Sequence, residues 1–146
     1  MIKKITLAII LFFNLIFNVN AEKVNFFDEA KNLFENEKYA DSKFLFQRNI
    51  VFNPKDAESY LYLAKIFKNE DNEEEQEKNL DTTLLLEPNN EEAIYMLINI
   101  QIDRSNFDKA NKLMNTFSNV CKKMCNKKIE ISKSLQAFEA NNAKTN

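Results

Sequence analysis

The chain has 146 residues, with 20 Lys or Arg against 22 Asp or Glu for a net charge of −2, and it contains neither glycine nor histidine. This mild acidity argues against nucleic acid as a partner, because nucleic-acid binding normally requires a basic patch or stripe. Tight hairpin turns, phosphate-cradling loops and nucleophile turns all depend on glycine, so its absence disfavours an all-β fold and these catalytic motifs. Histidine, the usual general base near neutral pH, is also missing. We therefore expect no enzyme, no cofactor and no small-molecule substrate.

The first 21 residues have the order of a secretory signal peptide. A basic start precedes a mainly apolar run at residues 5–17, and Val19 and Ala21 then lead to an expected cleavage between Ala21 and Glu22. An uncleaved membrane anchor is the alternative, but this run of 13 residues is shorter than the roughly 20 that cross a bilayer. We expect export, to the periplasm. Cleavage removes two lysines and no acid, which leaves 125 residues with a net charge of −4.

Apolar spacing predicts six helices in three pairs, followed by a seventh helix. The predicted helices cover residues 25–36, 39–52, 56–69, 73–86, 90–103, 107–119 and 127–140. Asp56 and Asn90 stand where their side chains can accept backbone N–H bonds as helix caps. The acidic run at 70–75 matches no calcium loop, so we interpret it as the solvated start of a helix.

Two prolines mark a repeat of 34 residues. Pro54 and Pro88 are the only prolines, and each follows three apolar residues and one polar residue. An apolar helix is therefore stopped twice in the same way, since proline cannot continue a helix. A period of 34 built from helix pairs predicts stacked supersecondary units. An ordinary helical bundle would explain the apolar stripes but not two prolines at the same phase.

Other positions around these prolines follow the pattern W-x2-L-G-x2-Y, then A-x3-F, then P. The first unit has Phe26, Ala30, Leu33, Ser42, Phe46 and Pro54, the second has Tyr60, Leu63, Ala64, Phe67, Leu80 and Pro88, and the third has Ile94, Leu97, Ala110 and Met114. On these residues the chain resembles the tetratricopeptide repeat (TPR) family. Four residues depart from the pattern. Ile98 stands where glycine or alanine lets helices approach, and Lys122 stands where a third proline would fall. Glu29 takes a place usually held by leucine, and Gln76 a place usually held by alanine.

The resemblance implies an all-α fold, an α-α superhelix or TPR solenoid. About three helix-turn-helix repeats would cover residues 22–120, at about 23–56, 57–90 and 91–120. Residues 121–146 would hold a cysteine loop, a capping helix and a frayed tail. The capping helix is needed because each repeat contacts only its neighbours, which would leave the end of the third unit exposed.

Cys121 and Cys125 are the only cysteines and lie four residues apart. In an oxidising compartment they would form a disulfide that holds the capping helix against the third repeat. The chain-entropy model gives about 2 kcal/mol for so short a loop. The alternative is two buried thiols on one continuous helix, where this spacing puts them on the same face. Without histidine the two thiolates do not complete a zinc site, so no metal is expected.

The resemblance also implies protein–protein interaction in a concave groove lined by the first helix of each pair. The groove positions fall on Phe27, Lys31, Phe34, Leu61, Lys65, Lys68, Tyr95, Asn99 and Ile102. Aromatic anchors beside lysines suit a segment with apolar side chains and some carboxylates. The family's carboxylate-clamp version is not expected, because Glu58, Glu92 and Met96 occupy places that would have to contribute to it.

The sequence therefore predicts an exported adaptor or scaffold that binds another envelope protein or a peptide segment. The alternative is a structural component that self-associates by stacking the end faces of its repeats.

Overall fold

The structure is a computed structural model that describes residues 26–142, and the surroundings of side chains as far as residue 137. The predicted signal peptide, its cleavage position and the end of the predicted tail lie outside the described residues.

Seven helices make up the described part of the chain, which contains no strand. They are α1 Phe26–Glu35, α2 Tyr39–Phe52, α3 Ala57–Asn69, α4 Glu73–Leu86, α5 Glu91–Asp103, α6 Phe107–Val120 and α7 Lys127–Asn142. All seven predicted helices are confirmed, and their ends differ from the prediction by at most two residues.

The helices stack in chain order. Helices α1 and α2, α3 and α4, and α5 and α6 form three pairs. Helix α2 also packs on α3, α4 on α5, and α7 on the third pair.

The core is divided accordingly into three clusters. The first joins the first two pairs and consists of Ala30, Phe46, Leu63 and Ile66. The second joins the second and third pairs and consists of Leu61, Ala64, Leu80, Ala93, Met96, Leu97 and Ile100. The third joins the third pair to α7 and consists of Ile94, Ile98, Ala110, Phe117, Ile131 and Leu135. The fold is therefore an α-α superhelix of three repeats with a capping helix, as predicted.

The turns within the three pairs repeat the 34-residue period in their backbone geometry. The residues with left-handed backbone are Glu37, Asp71 and Ser105, with φ of 59°, 54° and 58°. In each turn the next residue donates its N–H to the carbonyl five positions back, at 2.9 Å, 2.9 Å and 2.8 Å. This is the Schellman arrangement, which usually has glycine at the left-handed position. The chain has no glycine, so all three turns carry a steric cost that glycine would avoid.

The starts of the helices agree in part with the predicted caps. Asn90 accepts the N–H of Ala93 at 3.0 Å, as predicted. For Asp56 the prediction is wrong, because its carboxylate accepts the Ser59 hydroxyl and the Asn49 amide, each at 2.6 Å, and caps no backbone N–H. Asp56 instead ties the end of α2 to the start of α3. The acidic run lies in the α3–α4 turn and the first turn of α4, as predicted.

A short loop after α6 carries both cysteines. The Sγ atoms of Cys121 and Cys125 are 2.15 Å apart, at bonding distance. Because α6 ends at Val120 and α7 begins at Lys127, the alternative of both cysteines on one continuous helix does not occur.

Glu91, at the start of α5, fixes this loop to the third repeat. Its carboxylate accepts the backbone N–H groups of Met124 at 2.8 Å and Lys123 at 3.0 Å. The hydrogen bond from Met124, followed by those from Lys122 and Lys123, lowers the pKa of Glu91. The loop therefore leads directly from an anchored point into α7, whose Ile131 and Leu135 are buried against α5 and α6.

Candidate partner-binding groove

The first helices of the three pairs, α1, α3 and α5, carry one surface, which we call the inner face. Direct evidence that these helices are neighbours is the ion pair between Lys65 on α3 and Glu92 on α5, with Nζ and Oε1 2.8 Å apart. This pair also means that Lys65, one of the predicted groove residues, already has a carboxylate partner within the chain.

Aromatic rings form the inner face near α1. Phe27 and Phe34, both predicted groove residues, are half-buried, and their ring centroids lie 5.9 Å and 5.1 Å from that of Tyr62 on α3. Tyr62 also stacks on the buried Phe46 at 5.0 Å, and the Lys65 Nζ lies 4.7 Å from its ring centroid. The rings therefore hold α1, α2 and α3 together, and only part of each is available to a partner.

Four other predicted groove residues differ in how much surface they offer. Lys31 is exposed on α1. Leu61 is only 6 % exposed and belongs to the second core cluster, so it offers no surface to a partner. Ile102 is half-buried against the third cluster. Tyr95 is covered by α7, since its hydroxyl donates to the Glu130 carboxylate at 2.7 Å.

The last two predicted groove residues, Lys68 and Asn99, line a cavity of about 240 Å³. It lies between the end of α3, the α3–α4 turn, the start of α4 and the middle of α5. Its full lining is Lys68, Asp71, Glu73, Gln76, Met96, Asn99, Ile100 and Asp103. Met96 and Ile100 are 7 % and 3 % exposed and belong to the second core cluster, so they form an apolar floor beneath polar walls.

Most polar side chains of this cavity have no partner within the described part of the chain. Glu73 is paired with Arg104. The other five make no side-chain hydrogen bond or ion pair with the side chains described, residues 26–137, and they are Lys68, Asp71, Gln76, Asn99 and Asp103. Gln76 is informative because the residue is only 7 % exposed, yet no buried side-chain N or O atom among the described residues lacks a partner, so the part of Gln76 that reaches the solvent of the cavity is its amide. Its side-chain amide therefore has unused donors and an acceptor at the cavity.

A polar network behind the cavity fixes α4 against α5 and α6. Glu77 accepts from Gln101 on α5 and Lys109 on α6, each at 3.0 Å, and it also pairs with Arg104. Burial raises the pKa of Glu77, but the hydrogen bonds and charges of Lys109 and Arg104 outweigh burial and lower its pKa overall. Because Arg104 also holds Glu73, this network sets the position of one cavity wall.

Comparison with solved structures identifies the architecture. The chain is similar to the type III secretion chaperone SycD of Yersinia enterocolitica, solved in complex with a peptide of the translocator YopD, with a TM-score of 0.70 at 12 % identity over 86 % of this chain and 98 % of SycD. It is also similar to the Sgt2 TPR domain from Aspergillus fumigatus, with a TM-score of 0.67 at 12 % identity over 85 % of this chain and 83 % of that domain. The chain has the TPR fold.

A third similar structure is the CopN–Scc3 complex, where the TM-score is 0.65 at 18 % identity over 81 % of this chain and 72 % of the chain compared. No protein-family model and no curated protein matches the sequence. At these identities the likeness establishes the TPR fold, and the function is argued from the site.

Several residues at the inner face or in the cavity lining are not among the predicted groove positions. These are Tyr62, Asp71, Gln76, Met96 and Asp103. The sequence carries a signal for Gln76, because a long polar residue stands where the TPR pattern has alanine. Asp71 is the left-handed residue of its turn, and it points to the cavity only because the turn of the second repeat lies beside α5.

Neither a metal site nor a membrane span emerges from the described residues. Residues 26–142 contain no group of three or more Cys, Asp or Glu side chains placed to hold a metal ion. No helix in that range combines the length and apolar character required to cross a membrane.

Proposed function

We propose that this chain is an exported TPR adaptor that binds an extended segment of another protein on its inner face. The observation that carries the proposal is the cavity between α3 and α5, where five polar side chains without partners surround an apolar floor. Among the described residues no buried side-chain N or O atom lacks a hydrogen-bond partner, so these five side chains reach solvent, and a bound segment would replace their water with its own hydrogen bonds. The structure of SycD with a peptide of YopD supports a protein segment as the class of ligand.

The cavity can be tested with two substitutions that leave the core clusters intact. Lys68→Ala with Asn99→Ala removes two polar groups from the cavity wall. Lys112→Ala with Asn115→Ala is the matched control, because it removes the same residue types from exposed positions on α6. Each tagged variant is expressed in the source cell, and proteins that co-purify from envelope extracts are quantified by mass spectrometry.

We expect a partner that is recovered with the wild-type chain and the α6 control and is reduced at least about tenfold with the cavity variant, the change that a loss of about 1.4 kcal/mol produces. Equal recovery of every co-purifying protein with all three chains would contradict binding at the inner face.

Export is the second part of the proposal and is tested separately. It rests on the signal-peptide order of residues 1–21 and on the bonding distance between Cys121 and Cys125, since disulfides persist in oxidising compartments. Fractionation followed by N-terminal sequencing should place the protein in the periplasm with Glu22 as its first residue. Alkylation without reductant should leave both cysteines unmodified. A cytoplasmic chain with two alkylated thiols would contradict export.

Self-association is a second candidate function, favoured by apolar side chains exposed on α2 and α4, the second helices of the first two pairs. Val51 at the end of α2 and Leu85 at the end of α4 occupy equivalent positions of neighbouring repeats and are 76 % and 82 % exposed. Phe44 and Phe52 on α2 are also exposed. If these residues join copies of the chain, sedimentation at micromolar concentration should show dimers or larger species that Val51→Glu with Leu85→Glu converts to monomer. A monomeric wild-type chain would exclude this function.

A further inference from the structure

We propose that the cavity binds a lysine or arginine side chain of the partner segment. The inference rests on the proposed function and concerns which residue the inner face selects. It differs from the expectation drawn from the sequence, in which lysines of the groove would attract carboxylates of the partner.

The first observation is the balance of charge around the cavity. Its lining includes the carboxylates of Asp71, Glu73 and Asp103 against the single ammonium of Lys68. Arg104 engages Glu73, whereas Asp71 and Asp103 have no ion pair with any side chain of residues 26–137. Lys68, Asp71 and Asp103 are all exposed, but the short side chains of the aspartates stay at the cavity, while Lys68 can extend its long stem toward water. The charge that remains fixed at the cavity is therefore negative.

The second observation is that the nearest other lysine of the inner face is already neutralised. Lys65 pairs with Glu92 at 2.8 Å and its Nζ also lies against the Tyr62 ring. A carboxylate on the partner would therefore have to compete with Glu92 for this lysine. At Asp71 and Asp103 a cation on the partner competes only with Lys68, the one cation of the cavity lining, which forms no ion pair there.

Size and polarity agree with one long side chain. Small-molecule pockets commonly measure about 300–1,000 Å³, and the volume here, about 240 Å³, is below that range. Met96 and Ile100 form an apolar floor on which the methylene stem of lysine or arginine can lie, with the charged group toward the aspartates. The side-chain oxygen of Gln76, a residue 7 % exposed at the cavity, provides an acceptor for the N–H groups of the same occupant.

The test is a selection that assumes no particular partner. A phage-displayed library of random twelve-residue peptides is selected on the wild-type chain, and recovered peptides are measured by fluorescence anisotropy. Each is tested against Asp71→Asn with Asp103→Asn, and against Asp103→Asn alone. The matched control is Asp41→Asn with Asp108→Asn, which removes two exposed carboxylates that do not line the cavity. Asparagine tolerates the left-handed backbone of residue 71, and circular dichroism verifies that each variant is folded.

We expect lysine or arginine to be enriched at one position of the selected peptides. Loss of one charged partner should weaken binding about tenfold in Asp103→Asn, and more in the double variant. The control should bind like the wild-type chain. Peptides that are selected and lose affinity with Lys68→Ala and Asn99→Ala, but show no basic enrichment or no effect of the aspartate variants, would overturn this inference and leave the proposed function standing. Recovery of no binding peptide at all would count against both.

Discussion

Removing the Cys121–Cys125 bond should loosen the capping helix by an amount that the structure allows us to estimate. The bond closes a loop of five residues between the end of α6 and the start of α7. In the chain-entropy model, replacing both cysteines by serine should lower the free energy of unfolding by about 2 kcal/mol. Taking about 2.1 cal/mol/K per residue for about 120 ordered residues, unfolding of the whole stack would shift by about 8 °C.

The effect should also be local. Among the described helices, α7 makes substantial contact only with the two helices of the third pair. A stack of repeats unfolds as neighbouring units rather than as one body. Amide hydrogen exchange is therefore the decisive assay. Amides of α7 should exchange about 30-fold faster in the double serine variant, which corresponds to about 2 kcal/mol, while those of α1 and α2 should keep their rates.

Two controls make this prediction strict. Adding reductant to the wild-type chain should reproduce the serine variant, and reductant should have no effect on the serine variant itself. If α7 exchanges at the same rate with and without the bond, or if α1 is accelerated as much as α7, the reasoning about an anchored capping helix is wrong.

Three further predictions concern the turns, the core and the polar network. Glu37→Gly should stabilise the chain by about 0.5–1 kcal/mol in urea denaturation because it relieves a left-handed backbone at φ 59°, and a destabilised variant would refute this. Phe46→Ala should lower the free energy of unfolding by about 3–5 kcal/mol, because Phe46 is fully buried. Phe44→Ala on the same helix should lower it by less than about 0.5 kcal/mol, because Phe44 is 60 % exposed. Similar losses in the two variants would contradict the assigned core. The folded-state pKa of Glu77 is lowered from its usual 4.5, so its contribution is present above pH 4.5 and is lost as pH falls through the lower folded value. The stability difference between the wild-type chain and Glu77→Gln should therefore be about 1–2 kcal/mol at pH 7 and should vanish in acid, and a difference independent of pH would exclude this role.

The fold could be predicted because its signals are local. Apolar spacing and two prolines at equal phase determine where helices begin and end, and a repeat of 34 residues determines how consecutive pairs stack. Ile98 shows that the pattern tolerates exceptions. It stands on α5 at a position for a small residue and is nevertheless fully buried against α6 and α7.

The site could be predicted only in part, because contacts across the inner face depend on side-chain direction between repeats. Register predicts Lys68 and Asn99 as groove residues, and in the structure both line the cavity. Register alone does not reveal that Leu61 turns into the core or that Glu92 neutralises Lys65. The same applies to Asp56, whose carboxylate is taken by Asn49 of the preceding helix. Each of these three residues makes a contact that the sequence did not predict, with a residue more than one helical turn away in the chain.

The division of the core into three clusters has a mechanical consequence. In the described part of the chain, no cluster contains residues from both the first and the third pair. The junction between the first two pairs and the junction between the second and third pairs are thus separate and follow one another along the stack. Small rotations of the helices at each junction add up. We therefore expect the distance between α1 and α5 to vary more than the packing at either junction, so that the curvature of the inner face changes without opening the core.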